Sequence, residues 1–163
     1  MIIYLKNKDT LIFKDFKFKC CIGANGLSKK KEEGDKTTPK GIFKLGNLYY
    51  RADKRAKPST NLKCKVITKN LGWCNDPLNK KYNKEIKISK KIKYEKLYRR
   101  DYKYNYLILI KYNYIKTIPN KGSAIFIHLT KNYKPTAGCI GLSEKDFKIM
   151  LKLIKKNTKI KIS

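Results

Sequence analysis

Two short runs, Tyr106–Ile110 (YLILI) and residues 123–129 (SAIFIHL), constrain the fold more than any other feature, because neither contains Lys, Arg, Asp or Glu. Both are continuously apolar and rich in β-branched and aromatic side chains, where a half-exposed strand would alternate. Runs of this kind read as strands covered on both faces, so the chain must supply packed layers on either side. At 163 residues, 41% hydrophobic and 12% aromatic, it has the material. A chain of that size buries roughly two thirds of its unfolded surface. Neither run approaches the ~18–20 apolar residues of a membrane-spanning helix, so no transmembrane segment is expected.

Shorter strands surround this pair. Residues 2–5 and Thr10–Phe13 flank a Lys-Asn-Lys-Asp turn and read as a hairpin. Residues 16–20 alternate apolar and polar as a half-buried strand does, and end in Gly23-Ala24-Asn25-Gly26. A charged loop over 29–40 leads into a strand from Ile42. The polar middle, 51–103, offers strand candidates at 63–67 and 85–88 and a helical turn at 94–99. Ser143 followed by Glu144 and Asp146 predicts a helix N-terminus, and Phe147, Met150, Leu151 and Ile154 follow at helical spacing. A last strand is expected over 158–162. No repeat, low-complexity tract or break divides the chain. The expectation is therefore one domain, 1–163, mainly β (α+β), a single mixed β-sheet or sandwich with one clear C-terminal helix.

The chain carries 41 Lys+Arg against 12 Asp+Glu, a formal charge of +29. Such a surface attracts phosphate without specificity. Only four of those cations are Arg, the residue suited to bidentate phosphate and guanine recognition. The lysines are spread evenly and accompany many Ile, Asn and Tyr residues, a pattern expected of A/T-rich codon usage. The charge therefore reads mainly as a solvated coat, and no specific nucleic-acid partner is expected. Five cysteines form no C-x-x-C and only one histidine is present, so no structural metal site and no cofactor are expected. For Cys20, Cys21, Cys64 and Cys74, disulfide and free-thiol states both remain open. The first nine residues lack the basic segment, apolar stretch and cleavage site of a secretory signal.

His128 lies near the end of the second apolar run, and after ten intervening residues that close with the turn Pro135-Thr136-Ala137-Gly138, the chain delivers Cys139. A loop of that length can fold back to bring imidazole and thiol together. A thiol of pKa ~8.5 is only a few per cent thiolate at pH 7, so a nucleophilic cysteine needs a base beside it. Gly138 permits positive φ and close substrate approach, and adjacent N–H groups could face an oxyanion. On spacing alone, a core histidine and a small buried thiol are the commoner arrangement.

The segment resembles the L,D-transpeptidase catalytic domain, also called YkuD, marked by a strand-borne His followed by a Ser/Thr-x-Gly-Cys turn, here Thr136-Ala137-Gly138-Cys139. Gly34-Asp35 with Thr38-Pro39-x-Gly41 and Phe43 is similar to the family's G-D-x-x-T-P-x-G-x-F segment. Tyr50-Arg51-Ala52-Asp53, Gly72-Trp73-Cys74-Asn75-Asp76-Pro77, Tyr82-Asn83 and residues 122–128 resemble its short proteobacterial branch. The likeness covers nearly the whole chain. It implies a mixed β fold and acyl transfer on peptidoglycan stem peptides through a Cys139 thioester. His128 would be the base, with the Gly138 and Cys139 N–H groups at the oxyanion. The acceptor would be a meso-diaminopimelate amine, the product a 3-3 or 1-3 cross-link, the protein a monomer, and the location periplasm or cell envelope.

Typical members have a longer gap between the two residues, a second His where this chain has Ala137, and Arg where it has Gly141. Substrate contacts must then come from elsewhere, with Thr136, Arg51, Trp73, Tyr112, Asn113 and Ser123 as candidates. Asp35 is expected to hold its loop. Two other activities stay open: a cysteine L,D-carboxypeptidase or endopeptidase using water as acceptor, and a basic non-catalytic polymer-binding protein.

Overall fold

In the computed structural model, which describes residues 1–163, Asn7 and Lys8 take positive φ and turn β1 (Ile2–Lys6) back onto β2 (Thr10–Phe13). The hairpin is antiparallel with Leu5 opposite Leu11, and β3 (Phe16–Cys21) extends it with Phe18 opposite Leu11. Two short parallel strands, β4 (Leu27–Ser28) and β5 (Thr38–Pro39), bracket the charged loop. The ten-residue β6 (Gly41–Tyr50) follows, then β7 (Cys64–Val66), β8 (Leu71–Cys74), β9 (Glu85–Lys87) and β10 (Tyr94–Lys96). The chain ends with β11 (Tyr106–Ile110), β12 (Phe126–Leu129), β13 (Ile140–Leu142), α1 (Glu144–Leu153) and β14 (Lys159–Ile162).

The length of β6 closes the architecture. Its first half pairs antiparallel with β14 and its second half with β11. From β11 the sheet runs through β12, β13, β3, β2, β1 and β14 and so returns to β6. This is a mixed sheet rolled into a barrel-like sandwich, a closure that leaves few free edges to aggregate. The parallel pairs are β1 with β14, β12 with β13, and β6 with β7. A second sheet, β10-β8-β9, lies apart from the ring.

Both apolar runs are buried on both faces, as their composition predicts. Ile108, Ile127, Leu129 and Leu142 face a core of 25 buried residues into which α1 sends Phe147, Met150 and Leu151. Leu107, Leu109, Phe126 and Cys139 face a second core of ten that includes Trp73 and Tyr104. The helix begins where predicted: Ser143 Oγ accepts from the Asp146 N–H at 3.1 Å, and Glu144 and Asp146 sit in the positive first turn.

Two expectations are corrected. The helical turn at 94–99 is instead β10, because 94–96 gain ladder bonds to β8, with Glu95 opposite Trp73. β8 itself escaped sequence reading, since Gly72 interrupts a short run with charged flanks. The second apolar run enters the ladder only at Phe126, because Ala124 sits at φ 54° and breaks the strand. All five cysteines are free thiols. No helix is long and apolar enough to cross a membrane.

Candidate active site

Register brings His128 and Cys139 together. β12 and β13 run parallel with Ile127 opposite Ile140 and His128 opposite Gly141. Cys139, one residue before β13, therefore lies two positions along from His128's partner, on the same face. With strands about 4.8 Å apart and a rise of about 3.3 Å per residue, their Cα atoms are about 8 Å apart, within reach of two inward-facing side chains. Both line a cleft of about 560 Å³.

The turn before Cys139 is fixed from two sides. Thr136 Oγ1 accepts from the Gly138 N–H at 3.0 Å and donates to the Cys139 carbonyl at 2.6 Å. Thr38 Oγ1 donates to the Gly138 carbonyl at 2.8 Å and accepts from the Gly23 N–H, which ties the threonine-proline segment to the thiol turn. Gly138 sits at φ 138°, and a Cβ there would stand 2.7 Å from the Thr37 carbonyl oxygen, so only glycine fits without strain. The Gly138 N–H is thus spent within the turn, which corrects its expected place at an oxyanion. The Cys139 N–H has no partner within the chain.

The thiol is held by backbone. Cys139 Sγ–H donates to the Ala124 carbonyl at 3.2 Å, and the Phe126 N–H donates to the sulfur at 3.4 Å. Ala124, in its left-handed conformation, is anchored in turn: its N–H donates to Asn83 Oδ1 at 3.0 Å, and Trp73 Nε1–H donates to the same oxygen at 2.9 Å. Asn83 Nδ2 donates to the carbonyls of Tyr112 and Asn113. Asn83 itself was quoted in a motif without a role; a buried side-chain amide joining four segments leaves no local sequence signal.

On the other side, His128 Nδ1–H donates to the Leu129 carbonyl at 2.9 Å, which places the proton on Nδ1 and leaves Nε2 as an acceptor. Burial, with Lys103 and Arg99 nearby, pushes the imidazole down to about 4. Burial pushes the Cys139 thiol up to about 12, with the Glu95 charge adding and the Phe126 N–H, Lys31 and Arg99 opposing. At neutral pH the resting pair is therefore a neutral thiol beside a neutral imidazole.

That imidazole carries a stability signature. Unfolded, it takes up a proton near 6.5; folded, only near 4. The unfolded state binds more protons between those values, so stability falls as pH drops from 6.5 to 4, by a total of about 3 kcal/mol. Asp35 and Glu144, both held down to about 2 by their partners, account for losses below that window. Chemical denaturation of wild type and His128→Gln between pH 7 and 4 checks this: the variant should lose most of the slope in that interval.

The sequence candidates separate. Thr136 and Ser123 line the cleft with Cys139 and His128. Trp73 is fully buried in the second core and reaches the site only through Asn83. Tyr112 and Asn113 likewise connect to it through their carbonyls. Arg51 does not line the cleft: its guanidinium is engaged by Asp53, the Arg99 carbonyl and the Tyr98 ring. The cleft cations are instead Lys31, Arg99, Lys103 and Lys134. Lys31 is 3% exposed, its Nζ donating to Asp35 Oδ1 at 2.7 Å and to the Thr37 carbonyl, beside Gly138. Asp35 also accepts from the Glu32 and Thr37 N–H groups, the loop-holding role expected of it. At Gly141, a Cβ would stand 2.6 Å from Cys21 Sγ, so that thiol leaves no room for a side chain there. No three His, Cys, Asp or Glu side chains gather as a metal site would need.

A rolled mixed sheet sets a buried thiol and an imidazole on one face of two parallel strands, inside one cleft. The sequence matches the family described as YkuD, the L,D-transpeptidase catalytic domain, over residues 1–162, and the chain belongs to that family. Its members are cysteine-dependent and act on peptidoglycan. The fold is similar to that of the helical cell shape determining protein Pgp2 from Campylobacter jejuni, with TM-score 0.55 and 19% identity over 99% of this chain and 46% of that one. The K307A mutant of the same protein gives 0.54 and 20%, again covering 46% of its length. The chain thus spans less than half of these structures. No curated protein matches it in sequence.

Proposed function

We propose that this chain is a peptidoglycan L,D-transpeptidase that forms cross-links through a Cys139 thioester. The observation that carries the proposal is that Cys139 and His128 line one cleft, on one face of paired strands. As a donor peptide docks, its carboxylates meet the cleft cations Lys103 and Lys134, which no ion pair engages. The sulfur attacks the donor carbonyl while its proton passes to His128 Nε2; a neutral resting pair favours transfer during attack over a preformed thiolate. The oxyanion faces the unpartnered Cys139 N–H. His128 then gives its proton to the leaving amine, and a meso-diaminopimelate side-chain amine of a second stem takes the acyl group. Such a substrate places the protein in the periplasm or cell envelope, in line with the cell-shape role named for the structural neighbour.

Incubation with purified muropeptides tests the reading by product mass. Joined stems of 3-3 or 1-3 type are expected. Stems that are only shortened would make the protein an L,D-carboxypeptidase or endopeptidase, and unchanged muropeptides would contradict both.

A further inference from the structure

Two carboxylates in the cleft, Glu95 and Glu33, form no ion pair. Among six ion pairs in a chain with 41 Lys+Arg, none includes Glu95, although it lies in the cleft within electrostatic reach of the Cys139 sulfur. Its only side-chain hydrogen bond comes from the Tyr104 hydroxyl, and the Tyr104 ring packs on His128 with centroids 5.6 Å apart. The nearby cations are already engaged: Lys31 with Asp35, and Arg99 with Asp101. A second carboxylate, Glu33, also lines the cleft and is likewise held by a tyrosine, Tyr82. Ser123 Oγ is an independent orphan. It is buried, lines the same cleft, has no hydrogen-bond partner, and belongs to the residue before Ala124, whose carbonyl holds the thiol.

Burial pushes the Glu95 carboxyl above the usual carboxylate range, and its ionised form opposes a developing thiolate, so it works against the first half of the proposed reaction. A group that hinders acylation yet is held rigidly beside the nucleophile fits a task in the second half. We infer that Glu95, steadied by Tyr104 and assisted by Ser123 Oγ, forms the subsite that receives the acceptor's side-chain ammonium beside Cys139. The inference rests on the transfer reaction proposed above. The ammonium pairs with the Glu95 carboxylate and Ser123 Oγ accepts one of its N–H bonds. One proton moves to the carboxylate, freeing the nitrogen lone pair. The nitrogen attacks the thioester carbonyl, the C–N bond forms and the C–S bond breaks. A second nitrogen proton passes through His128 to the departing sulfur. The products are an amide, a thiol and a protonated Glu95, which returns its proton to water.

Binding alone tests this, separately from catalysis. The Cys139→Ala protein is titrated with a stem tripeptide bearing meso-diaminopimelate, and with the same tripeptide acetylated on its side-chain amine. The amine probe should bind at least tenfold more weakly when Glu95→Gln is added, acetylation of the probe should produce a loss of similar size, and Glu95→Asp should restore part of the affinity. Should the Gln variant melt early, the Asp variant and the acetylated probe still decide. Equal binding of both probes, or of the amine probe to all variants, overturns the subsite. Failure of wild-type Cys139 to form an acyl adduct would instead overturn the transfer reaction and leave the binding result standing.

Discussion

Cys139→Ala is expected to abolish cross-linking of purified muropeptides, and His128→Ala to lower it by about 10²–10⁴, the usual contribution of a positioned general base. Both proteins should stay folded. Cys139 loses one sulfur and two long hydrogen bonds, and His128 an imidazole whose side-chain bond is to its own neighbour's carbonyl. Each cost belongs with the ~0.5–3 kcal/mol of ordinary substitutions. Turnover by mass spectrometry and melting by circular dichroism, read together, check this. Retained turnover in Cys139→Ala would remove the nucleophile from the account.

The largest stability effect is expected at Trp73→Ala. The indole is fully buried, packs edge-on against Tyr49 and Phe126 at 6.2 and 5.1 Å and stacks on Tyr114. Removing such a side chain costs about 3–5 kcal/mol. The same change takes away one of the two donors to Asn83 Oδ1, the oxygen that anchors Ala124 and through it the thiol. Trp73→Phe separates the two effects. It keeps most of the packing and loses only the bond, so it should destabilise by about 1–3 kcal/mol while turnover falls more than that loss explains. Urea unfolding alongside initial rates gives both numbers. Equal rates for Trp73→Phe and wild type would disconnect Asn83 from the site.

The most legible parts of the sequence were those with strong local patterns. The two charge-free runs became β11 and β12, covered on both faces, and Ser143 with its acids became the start of α1. The strand, small-residue turn and second strand that carry His128 and Cys139 could be read as well, because they are local events. What the chain pairs at long range was harder to read. Glu95 looked like part of a helical turn, and only its ladder with β8 puts it on the wall of the cleft that holds Cys139. Lys31 lay in a charged loop like many others, yet it is almost fully buried beside Gly138. Arg51 had the right chemistry for a carboxylate, but Asp53, two residues on, engages it first. Gly138 was marked for the right reason, positive φ, and assigned a donor role that Thr136 takes from it.

The +29 charge takes on a narrower meaning in this structure. Most of it is a solvated coat, whereas the cleft holds a few cations around Cys139 and two carboxylates, Glu33 and Glu95, that form no ion pair. That arrangement suits a substrate pair of opposite local charge, a carboxylate-bearing donor and an amine acceptor.

The most direct test is the intact mass of the protein after brief incubation with muropeptides and no acceptor amine. A thioester account predicts a single added acyl mass, mapped to Cys139 and absent from Cys139→Ala. An unmodified wild-type protein that still turns over substrate, or an adduct that persists in Cys139→Ala, would contradict it.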